Sequence, residues 1–141
     1  MRTPLPALVA GLLLASTAFA ADRPSPKFDG DWNVTLTCVN DEKSGARGYK
    51  FFFIAEVKEG MLLGKYGNEG EPGSLNLSGP IAEDGSALLQ ARGITGNPEN
   101  SSKGEARGTP YSWPLKAQFD GEKGTGQRVK GRRCEAEFYK R

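Results

Sequence analysis

The chain predicts an all-β fold, a single eight-stranded antiparallel up-and-down barrel, and three features of its 141 residues carry that expectation. Apolar residues recur at every second position in several short runs, and no stretch holds a 3.6-residue period. Gly and Pro, 19 and 9 in number, are spread along the chain and punctuate those runs where hairpins need turns. Both cysteines, Cys38 and Cys134, share the apolar parity of the first and last runs, so a disulfide between them joins first strand to last. Closure of this kind removes the exposed edges that invite aggregation. A two-sheet β-sandwich is the alternative architecture.

Residues 1–20 read as a signal peptide. Arg2 precedes an apolar stretch from Leu5 to Ala15, and Ala18-Phe19-Ala20 has the small-x-small form of a cleavage site. The stretch is shorter than the ~20 residues that span a bilayer. The expectation is a mature protein that is periplasmic or secreted, not membrane-embedded and monomeric, with a flexible, Pro-rich segment over 21–27 and the barrel domain over 28–141. Roughly 120 mature residues make one domain. Two cysteines in an exported chain most simply pair. On the chain-entropy model, closing a loop on the order of 100 residues is worth up to ~4.7 kcal/mol.

The first strand alternates Trp32, Val34, Leu36 and Cys38 with Asn33, Thr35 and Thr37. Strands near 49–58 and 61–67 follow, joined by Glu59-Gly60, a dipeptide suited to a tight hairpin. That turn pairs Lys58 with Met61 and Val57 with Leu62, and its inner face collects Phe51, Phe53, Ala55, Val57, Leu62 and Tyr66. Strands near 73–80 and 86–94 add Leu75, Leu77, Ala87, Leu89 and Ala91, with Asp84-Gly85 between them. The run Trp113, Leu115, Ala117, Phe119 is the clearest alternation. Asp120-Gly121 suits the turn into a strand near 123–130, in which Gly124 and Gly126 are expected to let the sheet bend. The last strand alternates Cys134, Ala136 and Phe138 with Glu135, Glu137 and Tyr139. The same parity turns Phe52, Ile54, Leu88 and Tyr139 outward, where a joined apolar patch would face another protein.

Chemistry is bounded mainly by exclusion. The chain has no histidine, which removes Ser–His and Cys–His nucleophile pairs, an imidazole acid or base, and thiolate–imidazole zinc sites. Neither a metal nor any other cofactor is expected. Glu56 with Glu59, or Glu135 with Glu137, are the carboxylate pairs available for glycosidase-type work, but Glu135 and Glu137 have outward parity, where acids are ordinarily just solvated. The protein is expected not to be an enzyme. The Gly121–Gly126 stretch leads into a strand, not the helix a phosphate loop needs. Three Asn-x-Ser/Thr triplets, at Asn33, Asn76 and Asn100, matter only in a host that glycosylates. A formal net charge of +2 is too balanced for a dedicated nucleic-acid binder.

Phe28-Asp29-Gly30-Asp31-Trp32 resembles the start of lipocalin- and avidin-like barrels through its Gly-x-Trp. The resemblance implies that Trp32 plugs one barrel end beneath a basic side chain of the last strand, for which Arg132 or Arg133 is the expectation. The chain is also similar to small exported bacterial proteins of unassigned function through that motif, Gly108-Thr109-Pro110-Tyr111 and Gly124-Thr125-Gly126. Function does not transfer on a motif this short.

The functional expectation is a non-catalytic binding module that holds a small or oligomeric ligand at the barrel mouth. Tyr49, Tyr66, Tyr111 and Trp113 are its candidate contacts, since aromatic faces offer area with a polar handle. The alternative is a protein-interaction module, such as an inhibitor of an exported enzyme, whose partner is an envelope protein. Arg128, Lys130, Arg133 and Lys140 form a cationic stripe if adjacent strands align them. Residues 96–110 lack apolar periodicity and are long for a hairpin connection, so they are expected to form or gate the recognition surface, with Tyr111 as anchor and Arg107 as a polar contact.

Overall fold

Each of eight strands pairs antiparallel with the next in sequence: β1 (Gly30–Cys38), β2 (Tyr49–Lys58), β3 (Met61–Tyr66), β4 (Leu75–Pro80), β5 (Ser86–Ile94), β6 (Pro110–Asp120), β7 (Lys123–Arg128) and β8 (Cys134–Lys140). β8 returns to pair with β1, so the sheet closes into a barrel and a two-sheet sandwich is excluded. These features come from a computed structural model that describes residues 23–141. The signal-peptide expectation for 1–20 lies outside the described residues.

Period-two patterning becomes burial directly. Trp32, Val34, Leu36 and Cys38 of β1 are buried, as are Trp113, Leu115, Ala117 and Phe119 of β6 and Cys134, Ala136 and Phe138 of β8. Cys38 stands directly opposite Cys134 in the β1–β8 register, and the two are joined by a disulfide. Such a bond marks an oxidising environment. The β2–β3 hairpin has the expected pairs Lys58–Met61 and Val57–Leu62. Asp29 accepts hydrogen bonds from the Glu59 and Gly60 amides at 2.9 and 3.0 Å, so the residue before β1 clamps that turn.

One barrel end is solid. Trp32 is wholly buried, donates its indole N–H to the Phe28 carbonyl at 2.9 Å and meets Phe119 edge-on at 5.2 Å. Phe138 and Phe28 complete the plug, with ring centroids 4.8 and 5.8 Å from Phe119. The cation over Trp32 is Lys140, at 5.9 Å, not Arg132 or Arg133. Chain direction explains the correction: residues 132 and 133 precede β8 and lie at its other end, whereas Lys140 pairs with Trp32 itself.

Four further expectations are corrected. The segment 21–27 is docked from Pro24 onward and not free: Pro24 bridges Ala82, the Ser25 amide donates to Ile81, and Ser25 Oγ bonds Glu83. Asp120 pairs with Lys123, which moves the β6–β7 turn to Gly121-Glu122. Strand β4 starts at Leu75 and not at residue 73, and β7 stops at Arg128, whose side chain turns to bond the Lys130 carbonyl. Gly124 and Gly126 make room for the core. A Cβ on either would stand 2.8 Å from the Phe119 ring or 2.5 Å from Leu115, so the core's bulk on β6 requires their absence of side chain on β7.

Candidate binding cavity

The opposite end is hollow. Connections 39–48, 67–74, 95–109 and 129–133 gather there, and the inward positions of the strands beneath them are aromatic. Tyr49 and Phe51 of β2 lie 4.7 Å apart, and Phe51 stacks on Tyr66 of β3 at 3.9 Å with planes 13° apart. Tyr111 and Trp113 of β6 form a second wall. Together they line a cavity of about 520 Å³, within the ~300–1,000 Å³ usual for small-molecule sites. Tyr111 owes its place to a missing side chain: a Cβ on Gly93, its cross-strand partner, would come within 2.4 Å of its ring and hydroxyl.

The rim is polar and comes largely from the loop between β5 and β6. Asn97, Asn100, Ser101, Ser102, Lys103 and Glu105 all line the cavity. This loop is structured. Asn97 caps a 3₁₀ turn over Pro98–Asn100, and the Thr95 amide donates to Thr109 across its base. The Arg47 amide donates to the Glu99 carbonyl while their side chains pair at 3.2 Å, tying this loop to the one after β1.

Two guanidinium groups enter the same space. Arg132 is only 8% exposed and donates from Nε to Val39 O, from Nη1 to Asn100 O and from Nη2 to Arg47 O, with its plane 5.2 Å from the Tyr49 ring. Arg128 donates Nε to Lys130 O at 2.8 Å and lies 5.1 Å from the Trp113 ring. Among the described residues neither has a carboxylate within salt-bridge distance; the ion pairs there are Arg47–Glu99, Lys65–Glu69 and Arg133–Glu135. The lining thus holds three cations (Lys103, Arg128, Arg132) and one acid (Glu105).

Burial raises the Tyr111 phenol well above its ordinary range, with the neighbouring Tyr49 adding to the shift, and burial raises Tyr49 against the pull of Arg132 and Arg128. Folding therefore favours both neutral phenols. That stabilisation is complete below the ordinary phenol value of 10.0 and is lost as pH rises through the higher folded values. Stability should fall above about pH 10, and Tyr49→Phe or Tyr111→Phe should flatten the fall; urea melts at stepped alkaline pH measure both.

Of the residues singled out from sequence, Tyr49, Tyr66, Tyr111 and Trp113 converge on this cavity. Arg107 does not: it is exposed and donates to the Gly96 carbonyl at 3.3 Å, outside the lining. Nor do the four basic residues make a stripe. Arg128 and Lys140 have inward parity at opposite ends of the barrel, Lys130 lies in the turn after β7, and Arg133 is exposed and paired with Glu135. Phe51 and Arg132 were not singled out as contacts. Phe51 shares parity with Tyr49, which is a sufficient signal; nothing in the local sequence marks Arg132. No family model, curated protein or solved structure matches this chain.

Proposed function

We propose that this protein is a non-catalytic binding module that holds a small ligand in the cavity at its open end. The carrying observation is asymmetry: one barrel end is packed solid around Trp32, while the other encloses about 520 Å³ lined by aromatic rings and a polar rim. Residues that fold stability alone would fill with aliphatic bulk are here Tyr, Trp and Arg. The disulfide agrees with work in the periplasm or outside the cell, and Trp32 beneath Lys140 agrees with the resemblance to lipocalin- and avidin-like barrels.

The test is thermal unfolding in the presence of a low-molecular-mass filtrate of envelope extract. A ligand at a hundredfold over its Kd adds about 2.7 kcal/mol, which raises Tm by roughly 10 °C in a domain this size. Replacing 97–108 by a short Gly-Ser connection should abolish that rise, since loop length itself costs little in closure entropy. The second reading, a protein-facing module, rests on Phe52, Ile54 and Tyr139, which are exposed; Ile54 and Tyr139 flank Asn33 on the outer sheet. Stabilisation by the macromolecular fraction alone, unaffected by the loop replacement, would favour it.

A further inference from the structure

We infer that the cavity is selective for a carboxylate carried on a flat ring system, with Arg128 receiving the carboxylate and the rings of Tyr49, Phe51, Tyr66 and Trp113 receiving the body. This rests on the binding-module reading and gives that site its ligand class.

The two arginines divide the work. Each nitrogen of Arg132 already donates to a backbone carbonyl and at most one N–H remains on each terminal nitrogen, so it supplies fixed positive charge and holds three loops in place. Among the described residues Arg128 donates only from Nε, which leaves both terminal nitrogens, and a guanidinium edge of that kind matches the two oxygens of a carboxylate. Its guanidinium carbon already lies over Trp113, 5.1 Å from the ring centre, and its Nε is held by the Lys130 carbonyl, so little side-chain freedom remains to be lost on binding. Partial burial, and after it the like charge of Arg132, disfavour a lone cation at Arg128, a cost that an arriving anion relieves.

The floor sets the rest of the ligand. Tyr49, Phe51 and Tyr66 form a row of rings along one wall, Phe51 stacked on Tyr66 and Tyr49 tilted 35° to Phe51, with Trp113 on another, and such aromatic surfaces favour planar partners. The neutral phenols of Tyr49 and Tyr111 add hydrogen-bonding groups without adding negative charge. Glu105 is the acid of the lining and belongs to the rim loop, not to the barrel floor.

Isothermal titration of the full mature protein with naphthoate, its neutral isostere naphthamide, and acetate separates the parts. Naphthoate should bind about tenfold tighter than naphthamide, a difference of ~1.4 kcal/mol, and acetate should not bind measurably. Raised salt should weaken naphthoate alone. Arg128→Gln should bring naphthoate down to the naphthamide level, and Arg128→Lys, which keeps charge but loses the fork, should recover only part; thermal melts of both variants report folding. Equal affinity of naphthoate and naphthamide in the unaltered protein overturns the anion selectivity and leaves the binding-module reading standing. Acetate binding as tightly as naphthoate overturns the ring requirement. If neither ring compound binds while the envelope filtrate still stabilises the protein, this ligand class is wrong and the module is not; failure of both removes both.

Discussion

Trp32→Ala should lower the unfolding free energy by about 3–5 kcal/mol, the usual cost of emptying a large aromatic site in a close-packed core. Trp32 is wholly buried, its indole N–H satisfies the Phe28 carbonyl, and its ring meets Phe119 edge-on and lies beneath the Lys140 ammonium. Removing it leaves a void beside Phe119 of β6, which is itself packed between Phe28 and Phe138 of β8 and cannot collapse into the space without moving them. The plug lies at the end opposite the cavity, so affinity for naphthoate should be unchanged in the variant wherever it is folded. Urea unfolding gives the first quantity and titration the second. A loss below about 1 kcal/mol would mean that the plug relaxes freely, against the packing just described.

Cys38→Ala combined with Cys134→Ala should cost about 2–5 kcal/mol, and here binding should weaken as well. The bond links strands that are neighbours in the barrel but separated by 96 positions in sequence, so its loss frees a long loop in the unfolded ensemble. It also borders the Arg132 clamp. Val39, whose carbonyl accepts from Arg132 Nε, follows Cys38 directly, and Arg132 itself lies two residues before Cys134. The Val39 amide donates to the Arg133 carbonyl, completing a covalent and hydrogen-bonded collar at the mouth. Without the disulfide, the two sides of this collar are held only by hydrogen bonds, and the rim loops that Arg132 gathers should loosen. Intact-mass measurement of the unaltered protein should show material two protons lighter than its reduced form; two free thiols in protein from an oxidising compartment would remove the premise. The two variants together form a contrast, with stability lost in both and binding lost in one.

Much of the barrel was legible because a strand's side chains alternate with period two, so parity alone tells which residues face inward. That rule placed Trp32 through Cys38, Trp113 through Phe119 and Cys134 through Phe138 on the inner face, and it brought both cysteines to positions that closure makes partners. It also placed Tyr66 and Trp113 on the interior, and Tyr49 and Tyr111, chosen for their aromatic faces, line the same cavity. Two of the errors share a cause. Parity says nothing about which end of a strand a residue occupies relative to another strand, so Arg128 and Lys140 were grouped although they sit at opposite mouths, and Arg132 was offered to Trp32 although Lys140 holds that place.

The glycines show the same division. Composition marks Gly93, Gly124 and Gly126 as sites without a side chain, but only the cross-strand register reveals that Tyr111, Phe119 and Leu115 occupy the space left open. The loop over 96–110 carries no periodicity at all, and its order comes from its own capped turn and base-closing bonds together with partners distant in sequence, Arg47 and Arg132. The amino-acid sequence alone determined the all-β class, the inward and outward faces and the disulfide, because each follows from local alternation and from two cysteines having no other partner, whereas the β8–β1 pairing decided for a barrel over a sandwich. Only the tertiary structure decided which end is packed and which is hollow, and which arginine is left with a free edge. Those depend on register and loop contacts, which join residues that no local pattern connects.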